Sequence, residues 1–148
     1  MTPSGNGWLI AAGWLSIAAA LLHLACIVGG APWFRALGAG EEIARAAERG
    51  AMFPTVITLF IATVLFVWAA YAFSAAGLIM RLPLVRTALV AIAVVLLVRG
   101  VLGFTPVFLP IPSLAFKFWS AAICLGMGAC FAFGTWQAWP TLSTKGIS

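Results

Sequence analysis

The apolar positions of this chain run on without a break instead of recurring at helix or strand period. Four stretches, about 8–29, 54–80, 84–104 and 113–139, continue for about twenty residues or more with almost no charge. Each is long enough to cross the roughly 30 Å hydrocarbon core as a helix. Strands are excluded, because no segment alternates apolar and polar positions over about ten residues. A helix also pairs its backbone within one segment, which hydrocarbon demands. The pattern therefore predicts an all-α protein. It is read as one four-span transmembrane domain over 1–148, folded as an integral membrane four-helix bundle.

Polar punctuation marks the ends of the spans. Pro54 stands where a first helical turn accepts proline. The second and third spans are joined by the short basic turn Arg81-Leu82-Pro83-Leu84-Val85-Arg86, and the third and fourth by a stretch broken at Pro106, Pro110 and Pro112. Trp8, Trp33, Trp136 and Trp139 fall near the interfaces, where tryptophan anchors membrane proteins. Trp14, Trp68 and Trp119 lie deeper and read as packing residues. The first stretch is read as a span and not as a cleaved signal, because it lacks a basic leader and exceeds the usual apolar length. Leu24-Ala25-Cys26 has the outline of a lipoprotein cleavage site, but His23 stands where an aliphatic residue is wanted.

The longest hydrophilic segment is the first loop, Gly30 to Phe53. Gly38-Ala39-Gly40 reads as a flexible lead into a short amphipathic helix from Glu41 to Arg49. Glutamates open that helix and arginines follow, as the helix dipole prefers. Glu41 and Arg45 are four apart in the favourable order. Two readings of this helix stand side by side. Its charges pair locally on a surface-lying helix, or one glutamate turns inward to meet a cation from the spans.

Composition sharpens the picture. The chain has 148 residues, of which 64% are apolar and 7% charged, and its mean hydropathy is +1.15. Soluble domains carry about 25% charged residues, so a soluble fold and a disordered chain are both excluded. The partner implied is the lipid bilayer, not nucleic acid. Eight Lys/Arg face three Asp/Glu. Arg81 and Arg86, close to span ends in a very short turn, place both termini in the cytoplasm by the positive-inside rule. Arg35, Arg45 and Arg49 in the first loop oppose that bias, offset by Glu41, Glu42 and Glu48.

Little in the sequence supports covalent or metal chemistry. Cys26, Cys124 and Cys130 all lie in spans and form no C-x-x-C pair, so they read as small apolar fillers. His23 is the one histidine and there is no aspartate, so neither a metal site nor bis-histidine haem is assigned. Glu41 directly after Gly38-Ala39-Gly40 repels phosphate and rules out a phosphate loop. No catalytic residue and no cofactor is expected.

Three cations in or near the spans deserve separate weighing. Counted along the helices, His23, Arg99 and Lys117 reach the same level, beneath the first loop, and Thr55 and Thr58 share it. Each has a bland reading: Lys117 and Arg99 can snorkel to the interface, and His23 can bond a backbone carbonyl. The alternative is a ligand-binding polar pocket of His23, Glu41, Glu42, Thr58, Arg99 and Lys117, with Arg99 neutralised by Glu41 or Glu42. In the last span, Gly126, Cys130 and Gly134 are spaced by four and predict a smooth helix-packing ridge.

The run Gly30-Ala31-Pro32-Trp33-Phe34-Arg35-Ala36-Leu37-Gly38-Ala39-Gly40-Glu41, the turn Arg81–Arg86 and the run Leu97-Val98-Arg99-Gly100 resemble those of small four-span proteins of bacterial inner membranes. The resemblance covers most of the chain. It implies a bacterial inner-membrane location and carries no reaction and no catalytic residue with it. The functional expectation is a non-enzymatic membrane protein that binds a hydrophobic small molecule or lipid, or serves as an accessory subunit to a partner or to its own copies. A small oligomeric transporter or channel is the alternative, though no acidic residue lies within a span as proton-coupled export usually requires. A lipid-modifying enzyme using His23 with a loop glutamate is the third reading.

Overall fold

The structure, a computed structural model, describes residues 6–105 and 114–143. Pro106, Pro110, Pro112 and Lys145 lie outside the described residues. The order of elements is α1 (Gly7–Gly29), α2 (Ala31–Ala36), α3 (Glu41–Glu48), α4 (Phe53–Ala75), α5 (Val85–Gly103) and α6 (Leu114–Ser143). Four of these, α1, α4, α5 and most of α6, are long and apolar enough to cross a membrane. The protein is thus an all-α, multi-pass four-helix bundle. Its first loop holds two short helices, α2 and α3, where one was expected.

Local chemistry explains where the helices start and stop. Asn6 caps α1, its side-chain oxygen accepting from the Leu9 amide at 3.3 Å. Pro54 sits in the first turn of α4. That helix ends at Ala75, several residues before the expected Met80. Gly77 takes a left-handed conformation (φ +79°), the Leu78 amide donates to the Phe73 carbonyl at 2.9 Å, and the Gly77 amide donates to Ser74 at 3.2 Å. This paired closure ends a helix even where apolar residues continue. The Ser74 hydroxyl then accepts from the Leu82 amide at 2.9 Å and ties down the turn.

The last helix departs from expectation in the other direction. It continues past Trp139 and through Pro140 to Ser143. Proline brings no amide donor, so the Trp136 carbonyl loses its helical partner. The basic turn braces this weakened end. Arg81 donates from Nη2 to the Thr141 carbonyl at 2.8 Å, and the Arg86 guanidinium lies 3.8 Å from the centre of the Trp139 ring.

The bundle consists of two tightly packed pairs, α1 with α4 and α5 with α6, joined mainly where α1 meets α6. Small residues allow the close approaches. A methyl group built on Gly13 would strike the Phe73 ring, one on Gly100 would strike Leu125, and one on Gly128 would strike Leu97. The main core lies toward the face carrying the described chain ends. There Leu9, Ala12, Leu89, Phe131 and Leu142 are buried, and Leu96 and Met127 mark its far limit. At the opposite face, Cys26, Ala31, Phe34 and Ala44 form a second cluster that seats α2 and α3 on the end of α1.

The expected ridge on α6 is only partly a packing face. Gly134 is pressed against Leu9, 2.6 Å from its Cγ to a built Cβ, whereas Gly126 faces open space. Cys130 is half-buried at the margin of the main core. Each step of four residues advances about 40° around a helix, so a ridge spaced by four turns away from its partner within two steps. Gly134→Leu is therefore expected to cost about 1–3 kcal/mol through overpacking, and Gly126→Leu to leave stability unchanged. Thermal unfolding of the two variants in detergent measures this; equal midpoints would contradict the α1–α6 contact.

Candidate functional site

Above Leu96 and Met127 the main core ends and a groove opens along α5 and α6. A cleft of about 550 Å³ lies there, lined by Gly38, residues of α5 from Val94 to Gly103 and residues of α6 from Lys117 to Cys124. Val94, Val95, Val98, Leu102, Ala121 and Cys124 make its walls largely apolar. Its polar groups are Arg99, Lys117 and Ser120.

The two cations stand differently. Lys117 is buried, with 8% of its surface exposed. Its ammonium donates to the Thr105 carbonyl just beyond the end of α5, where the helix dipole presents partial negative charge. Arg99 is exposed at the cleft, about four residues before the last residue of α5. No ion pair reaches either cation among the described residues.

The structure brings Arg99 and Lys117 to one cleft and leaves the other four candidate residues elsewhere. Glu41 meets Arg35 in a two-pronged pair, Nε to Oε2 and Nη2 to Oε1, both at 2.9 Å. Arg45 adds a third contact to Glu41 at 3.1 Å, as the i,i+4 spacing predicts. Arg35 also binds Glu48 at 2.6 Å. Glu42 is exposed and takes part in none of these pairs. The expected neutralisation of Arg99 by Glu41 or Glu42 is thus replaced by pairing inside the loop. The reason is placement: α2 and α3 pack against each other and over the ends of α1 and α4, while Arg99 and Lys117 belong to the other helix pair. His23 and Thr58 satisfy themselves locally. His23 donates from Nδ1 to the Ala19 carbonyl at 2.7 Å, and the buried Thr58 hydroxyl donates to the Pro54 carbonyl at 2.6 Å. Neither lines the cleft.

Sequence reasoning missed two parts of this arrangement. Arg35 is the centre of the loop's ion network, and only its position six residues before Glu41 could have pointed to it. Val94, Val98, Ser120 and Cys124 carry no signal that separates a cleft wall from a lipid-facing residue. Among the described residues, no three His, Cys, Asp or Glu side chains gather as metal ligands.

Compared with known proteins, the chain matches no family model, no curated protein and no solved structure.

The loop network, apart from the cleft, responds to pH. Hydrogen bonds from Arg35, then from Arg45, hold the Glu41 carboxyl down to about 2 from its ordinary 4.5, and Arg35 lowers Glu48 in the same direction. A lowered carboxyl contributes stability above about pH 4.5 and loses it as the pH falls toward 2. Amide protection in α2 and α3, corrected for intrinsic exchange rates, should fall through that window. Glu41→Gln should flatten the fall and lower protection at neutral pH by less than about tenfold, since water screens exposed pairs. Hydrogen–deuterium exchange tests this, and a pH profile unaltered by Glu41→Gln would refute it.

Proposed function

We propose that this chain is a non-enzymatic multi-pass protein of the bacterial inner membrane that holds a hydrophobic molecule between α5 and α6. The observation that carries the proposal is the cleft itself: about 550 Å³, walled mainly by apolar side chains, at the level where the main core stops. Ligand sites commonly occupy about 300–1,000 Å³ and combine apolar walls with a few polar groups. Val94, Val95 and Val98 are about half exposed, so the cleft opens to the side of the bundle and a hydrophobic molecule can enter it from the membrane. The resemblance to small four-span proteins of bacterial inner membranes supports the compartment. Arg81 and Arg86, in a very short turn on the face shared by the described chain ends, support cytoplasmic termini.

Ser120 lies on the cleft wall, half-buried. Protein extracted gently from membranes should carry a small apolar adduct in native mass spectra, and Ser120→Phe should lose it while keeping its thermal midpoint. Bare protein in the wild-type spectrum, or an adduct equally abundant in the variant, would count against a ligand in the cleft. Orientation has its own check. In a protein whose native cysteines are replaced, a cysteine at position 80, where Met80 is 82% exposed beside the basic turn, should be labelled from the cytoplasmic side of sealed membranes; labelling from the outside would invert the assignment.

A further inference from the structure

We infer that the molecule held between α5 and α6 is a single-chain anionic amphiphile, its acidic head between Arg99 and Lys117 and its chain along Val94, Val98 and Cys124. The inference rests on the proposal that the cleft holds a ligand, and adds the ligand's charge and form.

Three observations converge on it. The first is direction. On α5 the lining runs from Val94 to Gly103, about 14 Å at 1.5 Å per residue, and on α6 from Lys117 to Cys124, about 10 Å. Arg99 and Lys117 stand within about 6 Å of the helix ends at the face that carries α2 and α3. The opposite end, at Val94, Val95 and Cys124, has no charged group and points toward the middle of the spans. The cleft therefore has a cationic end near the interface and an apolar end in the hydrocarbon, the polarity gradient of an acid on an alkyl chain.

The second is the missing counter-charge. The carboxylates of Glu41 and Glu48 are bound to Arg35 and Arg45, and Glu42 does not line the cleft. An ammonium offers three donors and a guanidinium five. Lys117 uses one on a backbone carbonyl, and Arg99 makes no hydrogen bond among the described residues. Both cations keep donors to spare near the interface, and an acidic head meeting both would engage them.

The third is size. One cleft of about 550 Å³ accommodates one chain.

The experiment compares cis-parinaric acid with its methyl ester, using protein in nanodiscs of zwitterionic phosphatidylcholine at about pH 9, where the acid is ionised. Energy transfer from tryptophan to the polyene reports binding, and unlabelled palmitate tests saturation. The acid should bind at least about tenfold more tightly than the ester, the difference expected of one charge-assisted hydrogen bond. Arg99→Gln should remove most of that preference and leave the ester unchanged. Lys117→Gln should act in the same direction, but Lys117 also holds the end of α5, so the exposed Arg99 is the deciding variant. Equal, saturable binding of acid and ester would overturn the anionic head and leave the cleft as a neutral ligand site. Absence of saturable binding by either would remove the ligand site and this inference with it. If phosphatidylglycerol in the nanodisc displaces the acid as well as palmitate does, the two cations serve the surrounding bilayer lipid, and the single-chain ligand is wrong.

Discussion

A charge that enters a bilayer must find an opposite charge, a backbone carbonyl or the interface, and this chain has three carboxylates to set against eight basic side chains. All three sit in α3. Once Arg35 and Arg45 have engaged Glu41 and Glu48, the cations of the helix ends must be satisfied by other means. Arg81 uses the Thr141 carbonyl, Arg86 the face of Trp139, and Lys117 the Thr105 carbonyl. These substitutions organise both faces of the bundle. On one face the arginines brace a helix end weakened by Pro140. On the other, a lysine closes the end of α5 and brings positive charge to the cleft.

The cleft follows from the same helices that pack so closely below it. Gly100 meets Leu125, Gly103 meets Ala121 and Gly128 meets Leu97, so one side of α5 lies flush on α6. Leu89, Ile92, Ala93 and Leu96 share that buried side. Val94, Val98 and Leu102 recur at four-residue spacing along another stripe. That stripe has no helix against it, because α4 meets α5 only lightly and α1 joins the other pair chiefly through α6. A groove bounded by branched aliphatic side chains is what remains along α5 and α6.

Hydropathy made the spans legible, because membrane crossing is decided residue by residue and needs no knowledge of neighbours. The end of α4 was not legible for the same reason. Leu78, Ile79 and Met80 continue the apolar run, while the helix is ended by Gly77 and two backbone bonds. The helix α2 was hidden by its length of six residues, too short for any periodicity to register. Its start is marked only by Pro32 in the first turn. Of the candidate pocket, the shared level of Arg99 and Lys117 could be counted from the span ends. The destination of Glu41 could not, since it depends on how two short helices fold onto one another. The i,i+4 contact to Arg45 was readable; the two-pronged contact from Arg35 crosses a turn and was not.

That turn links the loop's ion network to the cleft. Arg35 and Glu41 bracket Gly38, and Gly38 is both the residue that closes α2 and a lining residue of the cleft. Its left-handed conformation (φ +72°) lets the Ala39 amide donate back to Phe34 at 2.9 Å and its own amide donate to Arg35 at 3.2 Å. A side chain at this position would be strained by the backbone. Glycine at 38 therefore permits the backbone reversal that lets Arg35 reach Glu41, at a point where the loop borders the cleft. The exposed ion pairs contribute little energy singly. Their structural effect is to hold α2 and α3 in the arrangement that sets this turn at the edge of the cleft.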